Sequence, residues 1–255
     1  MNPFDDSYRN ALNTFLAEWK TRNECLGIML VGSFATGLQT KYSDVDVYII
    51  LKEETPWRER GDKMYGDFLV EYNAHTIRFI KELIDKDKAQ GKRHCLRKIA
   101  TGTIQFDPTG KVKELQEEAR QLMDTPLPQS RDPEWVEMSK YYMWDQIDNM
   151  RDLADRKDPG FAYAYFAGVA NVVEYYAKFL GAEILRPVRM HSFFSNEEFH
   201  KKYGIVPFPD KEFAALVIEC MKGAVLDKVE HLTAYVTEKM GGLQIDGWIL
   251  RVPIK

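Results

Sequence analysis

The chain has little of what would place it outside the cell or in a membrane. Its 255 residues include only 3 cysteines. Cys25, Cys95 and Cys220 lie far apart and show no metal-ligand spacing. That excludes a disulfide framework and a cysteine zinc site, and the expected location is a reducing cytoplasm. The three thiols read as small buried apolar groups. No apolar run approaches the roughly 18 residues that a membrane span needs. Met1–Asp6 is acidic and polar, unlike a signal peptide. An excess of positive charge is also missing: 35 Lys and Arg against 39 Asp and Glu leave a net charge of −4. This speaks against a protein that coats nucleic acid by bulk charge, although a local basic patch is compatible with it. There is no internal repeat and no low-complexity segment. With 45% hydrophobic residues, the chain can bury the core of one large domain or of two modest ones.

What is present is concentrated between residues 26 and 51. Leu26–Val31 is an apolar run with the length of a buried strand. It ends on Gly32-Ser33, where the backbone can turn and expose N–H groups and a hydroxyl. Asp44-Val45-Asp46 then opens a second apolar run, Val47–Leu51. Alternate side chains of a strand share a face, so Asp44 and Asp46 point one way while Val45 and Val47 point into the core. Two carboxylates side by side repel unless a cation sits between them, and Mg²⁺, shared with substrate phosphates, is the usual answer. The Gly-Ser turn offers close backbone approach, N–H donors and a helix N-terminus over Ser33–Gly37, which is what a phosphate requires. A phosphate cradle joined to a carboxylate pair is the equipment of phosphoryl or nucleotidyl transfer.

This stretch resembles the signature of the nucleotidyltransferase superfamily related to DNA polymerase β. The matching residues are Gly32-Ser33, the loop Phe34–Ser43 and Asp44-Val45-Asp46, and Gly37 and Ser43 also fit the fuller pattern of small bacterial members. The chain is most similar to the aminoglycoside- and lincosamide-type antibiotic nucleotidyltransferases and their relatives. The resemblance implies a third acidic metal ligand on the strand beside Asp-x-Asp. Glu71, in the apolar stretch Asp67–Ala74, occupies that position, with Asp67 as the fallback. Phe68, Val70 and Tyr72 fall on one face of that strand, and Leu69, Glu71 and Asn73 on the other.

Along the chain, Asp5–Lys20 carries apolar residues at a helical period. Glu53–Gly66, charged and punctuated by Pro56, Gly61 and Gly66, reads as a loop or a broken helix. Thr76–Gln90 is a helix with Ile77, Ile80, Leu83 and Ile84 inward. Lys92–Ala100 is a basic helix carrying Lys92, Arg93, Arg97 and Lys98. It is read as a solvated face, with attraction of a triphosphate or of an acidic acceptor as the alternative. Thr103–Phe106 is a short strand, Asp107-Pro108-Thr109-Gly110 a turn and Lys111–Met123 a helix. An Asp-Pro-x-Gly turn is common here in small nucleotidyltransferases, which extends the likeness to about residue 123.

The Pro-rich stretch Asp124–Pro133 is the expected linker. Beyond it the character becomes helical. Pro133–Arg156 is one helix. Asp158-Pro159 reads as a cap for a nearly apolar helix, Phe161–Leu180, stopped by Gly181. Ile184–Ser192 reads as a loop, Asp210–Gly223 and Ala224–Met240 as helices, and Leu243–Pro253 as an extended tail. The expected fold class is therefore α+β. A mixed-sheet nucleotidyltransferase domain spans 1–125, and an antiparallel helical bundle spans 133–255. The resemblance implies that this bundle walls the acceptor cleft.

The reaction implied moves a nucleoside monophosphate, by family habit AMP from ATP, to a hydroxyl of an acceptor. Gly32 and Ser33 would hold the triphosphate. Asp44, Asp46 and Glu71 would bind two Mg²⁺, with Glu71 as ligand or proton acceptor. The acceptor stays open between an aminoglycoside-like antibiotic, another metabolite, a tRNA end and a protein side chain. The negative charge leans away from large RNA and towards a cationic or neutral small molecule, and some relatives build the cleft across a homodimer. Glu174, Asp145 and Asp148 are candidates for a general base, with a plain solvent-facing role as the alternative. Arg186, Arg189 and His191 are candidates for reaching the phosphates. Two other classes remain: a non-catalytic, antitoxin-like nucleotide-binding partner, and RNA cleavage of the HEPN type through Arg186 and His191.

Overall fold

The computed structural model describes residues 4–252. Met1–Pro3 of the acidic start and Pro253 of the extended tail lie outside the described residues. The fold is α+β: a mixed five-stranded sheet in the N-terminal part, followed by several helices. The chain separates into two compact units. One runs up to Thr125 and includes Glu198–Ile205; the other holds Pro126–Glu197 and the chain from Val206 onward. Among the described residues no helix is long and apolar enough to cross a membrane.

The first unit opens with α1 (Phe4–Lys20), β1 (Cys25–Leu30), the five-residue helix α2 (Gly32–Thr36) and β2 (Val45–Leu51). Next come β3 (Glu59–Tyr65), β4 (Phe68–Thr76), α3 (Ile77–Ala89), α4 (His94–Thr101), β5 (Thr103–Phe106) and α5 (Lys111–Leu122). The strand order is β3-β4-β2-β1-β5. Only β2 and β4 pair in parallel; the other neighbours are antiparallel. Both faces of the central strands are covered, which is why β1 and β2 read as unbroken apolar runs and not as alternation. On one face Phe15 and Trp19 of α1 pack with Val45, Val47, Ile49 and Val70. On the other, Ile80, Leu96, Ile99 and Leu115 from α3, α4 and α5 pack with Met29, Tyr48 and Ile50.

Three local expectations change. Glu53–Gly66 is neither a loop throughout nor a helix, because it contains β3. This strand forms the sheet edge and pairs with β4 around the Gly66-Asp67 bend, with Tyr65 opposite Phe68. An edge strand wet on both faces needs no apolar alternation, so its sequence hides it. Gly61 is not a breaker here: a Cβ on it would lie 2.7 Å from the Tyr72 hydroxyl, so the glycine admits that ring. The basic run before Ala100 is not a solvated face either. Arg93 and Arg97 are buried at 8% and 6% exposure, and α4 lays Cys95, Leu96 and Ile99 into the core.

The second unit contains α6 (Pro133–Asp155), α7 (Phe161–Leu180), a 3₁₀ turn (Pro187–Arg189), α8 (Met190–Ser195), α10 (Lys211–Met221) and α11 (Leu226–Lys239). The remaining helix, α9 (Glu197–Tyr203), falls almost wholly within the first unit. Asp158-Pro159 does not cap α7. Gly160 is the cap, and Asp158 closes a turn by accepting the Gly160 N–H through Oδ1 at 2.7 Å. Ile184–Ser192 is not simply a loop. It holds the 3₁₀ turn and the start of α8, because Phe193 and Phe194 are buried against Phe208 and Phe213. Asp210 caps α10 by accepting the Phe213 N–H at 3.0 Å, and it also accepts the hydroxyls of Tyr176 and Tyr235.

Candidate active site

The site is built where β1 ends and β2 begins. The Val31 N–H donates to the Asp46 carbonyl at 2.9 Å, which ties the exit of one strand to the entrance of the next. The chain then turns at Gly32, whose φ of +70° is left-handed, and enters α2 at once. Two constraints converge on this glycine. An L side chain pays a penalty at that φ, and an added Cβ would overlap Asp46 Oδ2 and lie 2.9 Å from its Cγ. The space a β-carbon would take is filled by the carboxylate. Ser33 follows, buried at 6% exposure. The first turn of α2 presents backbone N–H groups without intrahelical acceptors. Gly37, again left-handed, closes the helix by donating its N–H to the Ser33 carbonyl.

The loop from Leu38 to Ser43 returns the chain to the sheet. Ser43 Oγ accepts the Thr40 N–H at 2.9 Å, so Ser43 shapes the bend that delivers Asp44. Asp46 and Glu71 are register partners across the parallel β2–β4 pair, which puts both side chains on the same face and rung. Carboxylate oxygens of Asp44, Asp46 and Glu71 lie within 4.8 Å of one another, each residue half-buried. Among the described residues no other three His, Cys, Asp or Glu side chains form such a group.

Two basic residues close on this cluster. Lys98 Nζ donates to Asp46 Oδ1 at 2.8 Å, and both side chains are 16% exposed. Arg60, on the edge strand, donates to Glu71 Oε2 at 3.1 Å and is 67% exposed. Sequence reasoning named Lys98 as part of a basic run, solvent-facing or attracting a triphosphate or acidic acceptor, without pairing it to Asp46, and did not name Arg60. The buried neighbours Cys95 and Ile99 were the available signal for Lys98, because they place it at the margin of the inward face of α4.

The remaining candidates have these local surroundings. Asp67 sits exposed in the β3–β4 bend and does not join the acidic group. Glu174 pairs with Lys178 along α7 at 2.6 Å. Asp145 accepts the Asn149 amide at 3.2 Å, and Asp148 is exposed on α6. Arg186 precedes the 3₁₀ turn and Arg189 ends it. His191 is exposed, with Nδ1 3.4 Å from Ser195 Oγ.

Comparison with known proteins supports the same segment. Residues 12–101 match a family model described as a nucleotidyltransferase domain. That span runs from within α1 to the end of α4, and it contains Gly32, Asp44, Asp46, Glu71, Arg60 and Lys98. It supports transfer of a nucleotidyl group as the reaction class. No curated protein matches the chain. A solved structure of a nucleotidyltransferase-like protein from Exiguobacterium sibiricum 255-15 is similar over 91% of this chain and 78% of that one, at 14% identity and a TM-score of 0.37.

Proposed function

We propose that the protein transfers a nucleoside monophosphate, AMP from ATP, to a hydroxyl of a small acceptor and releases pyrophosphate. The observation that carries this is the convergence of three carboxylates, from β4, β2 and the residue just before β2, against a glycine that leaves no room for a side chain. The donor set is all oxygen, which suits hard Mg²⁺. Asp44, Asp46 and Glu71 would hold two such ions. When bound, the ions neutralise the phosphates and lower the pKa of the attacking hydroxyl.

The chain's own groups do the rest. Gly32 and Ser33 hold the phosphates through backbone N–H groups at the first turn of α2. Glu71, whose side chain is 22% exposed, takes the proton of the acceptor hydroxyl. The hydroxyl oxygen bonds to the α-phosphorus, and the bond from that phosphorus to the bridging oxygen breaks. Pyrophosphate leaves with the electron pair. A net charge of −4 favours a cationic or neutral acceptor, such as an aminoglycoside-like antibiotic, over large RNA.

The test is pyrophosphate release from labelled ATP with pooled small acceptors. It compares the wild type with an Asp44→Ala/Asp46→Ala variant whose folding is checked by circular dichroism. Loss of release in the variant is expected, and equal release by both proteins would sink the reading.

A further inference from the structure

Lys98 has no part in the reaction just described, yet it holds one of the central carboxylates. Three carboxylates whose oxygens lie within 4.8 Å repel strongly if left uncompensated. The protein answers with two cations of its own, and they differ in kind. Arg60 reaches Glu71 from an edge strand and is 67% exposed. A pair so wet is screened and easily exchanged. Lys98 reaches Asp46 from α4, where Cys95, Ile99 and Ala100 are buried, and the pair is 16% exposed at both ends. Its Nζ also lies 5.9 Å from the centroid of the Tyr48 ring, two residues along β2 from Asp46.

Asp46 is therefore held by one oxygen and confined at the other. Oδ2 lies against Gly32, and Oδ1 carries the Lys98 ammonium. A divalent ion that ligates Asp46 meets that ammonium and must displace it or bear its like charge.

We propose that Lys98 is a resident counter-ion that occupies the place of a divalent cation on Asp46 until nucleotide and cation arrive together. The proposal rests on the reading of Asp44, Asp46 and Glu71 as ion ligands. It makes Lys98 a positioning residue: it keeps Asp46 aimed in the ion-free protein and keeps the affinity for a bare cation low. A nucleoside triphosphate reverses the balance, because its negative charge adds to the attraction for the cation and gives the displaced ammonium a new partner. The site then loads with the cation–nucleotide complex in preference to the free ion.

The experiment measures Mn²⁺ binding by electron paramagnetic resonance, with and without a non-hydrolysable ATP analogue. The proteins are the wild type, Lys98→Met, Arg60→Gln, Asp46→Asn and the Lys98→Met/Asp46→Asn double variant. Wild type is expected to bind Mn²⁺ weakly alone and more tightly with the analogue. Lys98→Met should bind Mn²⁺ without nucleotide about tenfold more tightly than wild type, or better. Arg60→Gln should change that affinity by less than about threefold, and the double variant should show no gain over Asp46→Asn. Thermal unfolding provides a second readout: Lys98→Met should melt lower than wild type without ions and gain more in Tm from Mn²⁺. If Lys98→Met does not fold, Lys98→Gln serves in its place.

Unchanged or weaker Mn²⁺ binding by a folded Lys98 variant would overturn the proposal. Equal gains from Arg60→Gln and Lys98→Met would do so too, because diffuse charge would then explain both. Absence of Mn²⁺ binding in every protein, with or without the analogue, would overturn the ion-site reading itself and the proposal with it.

Discussion

Two glycines at either end of α2 provide a comparison in which φ is matched and the surroundings of an added Cβ differ. Gly32 and Gly37 have φ values of +70° and +69°. Alanine at either position incurs the left-handed penalty, about 1–2 kcal/mol. At Gly37 a new Cβ meets nothing within 4 Å; at Gly32 it collides with the Asp46 carboxylate. Gly37→Ala should therefore lose only the backbone term and keep its rate. Gly32→Ala must in addition move Asp46 away, which loosens the 2.8 Å bond to Lys98 and spreads the acidic cluster. The Lys98–Asp46 pair is shielded enough for its loss to matter, so Gly32→Ala should be less stable than Gly37→Ala by a further 1 kcal/mol or so. In catalysis a misplacement of about 1 Å costs on the order of 100-fold, and that is the expected loss in pyrophosphate release. Denaturant unfolding gives the stability of each variant, and initial rates at saturating ATP give the second quantity. Gly32→Ala with the rate of Gly37→Ala would refute the argument, because it would show that the position of Asp46 does not govern turnover.

Other outcomes follow from the same structure. Glu71→Gln should lower pyrophosphate release by at least about 100-fold, whereas Asp67→Asn, exposed in the β3–β4 bend, should stay within about twofold of wild type. Burial alone would raise the Asp210 carboxyl, but the Phe213 N–H and the Tyr176 and Tyr235 hydroxyls outweigh it and hold the group below its usual range. A depressed folded pKa adds stability above the unfolded value and loses it as pH falls through the folded one. Asp210→Asn should therefore cost about 1–3 kcal/mol at neutral pH and flatten the acid limb of a stability–pH curve below about pH 4. Burial pushes the Cys25 and Cys95 thiols up to about 11 and raises Cys220 as well. Ellman's reagent at pH 8 should then label none of the three until the protein is unfolded.

The strands that carry the carboxylates were legible because burial on two faces forces long apolar runs, and Leu26–Val31 and Val47–Leu51 are such runs. The sharing of a face by Asp44 and Asp46 follows from the two-residue period of a strand. Glu71 was legible through the resemblance, which implies a third acid on the neighbouring strand, and the structure places it opposite Asp46. What escaped was decided by contacts distant in sequence. β3 owes its form to pairing with β4 and carries no apolar pattern of its own. Lys98 sits 52 residues beyond Asp46, in a run whose charges suggested water. Only the packing of α4 shows that Arg93 and Arg97 are buried. Similarly, nothing local in Glu198–Ile205 announces that this stretch belongs with the first unit, to which it is bound through contacts such as Lys202 Nζ with the Gly37 carbonyl at 3.5 Å.

The parallel pairing of β2 with β4 makes the β3–β4 hairpin a ruler for the chemistry. Asp46 and Glu71 meet because their strands align without offset from Val45–Val70 through Leu51–Thr76. Sliding β4 by a single residue would carry Glu71 to the α1 side and bring Val70 or Tyr72 to the rung beside Asp46. The apolar residues that fix β4 in place therefore also meter the distance between the two acids. Such a centre cannot drift by small steps: the hairpin either seats in its notch and the third acid is delivered, or it does not and the centre is lost.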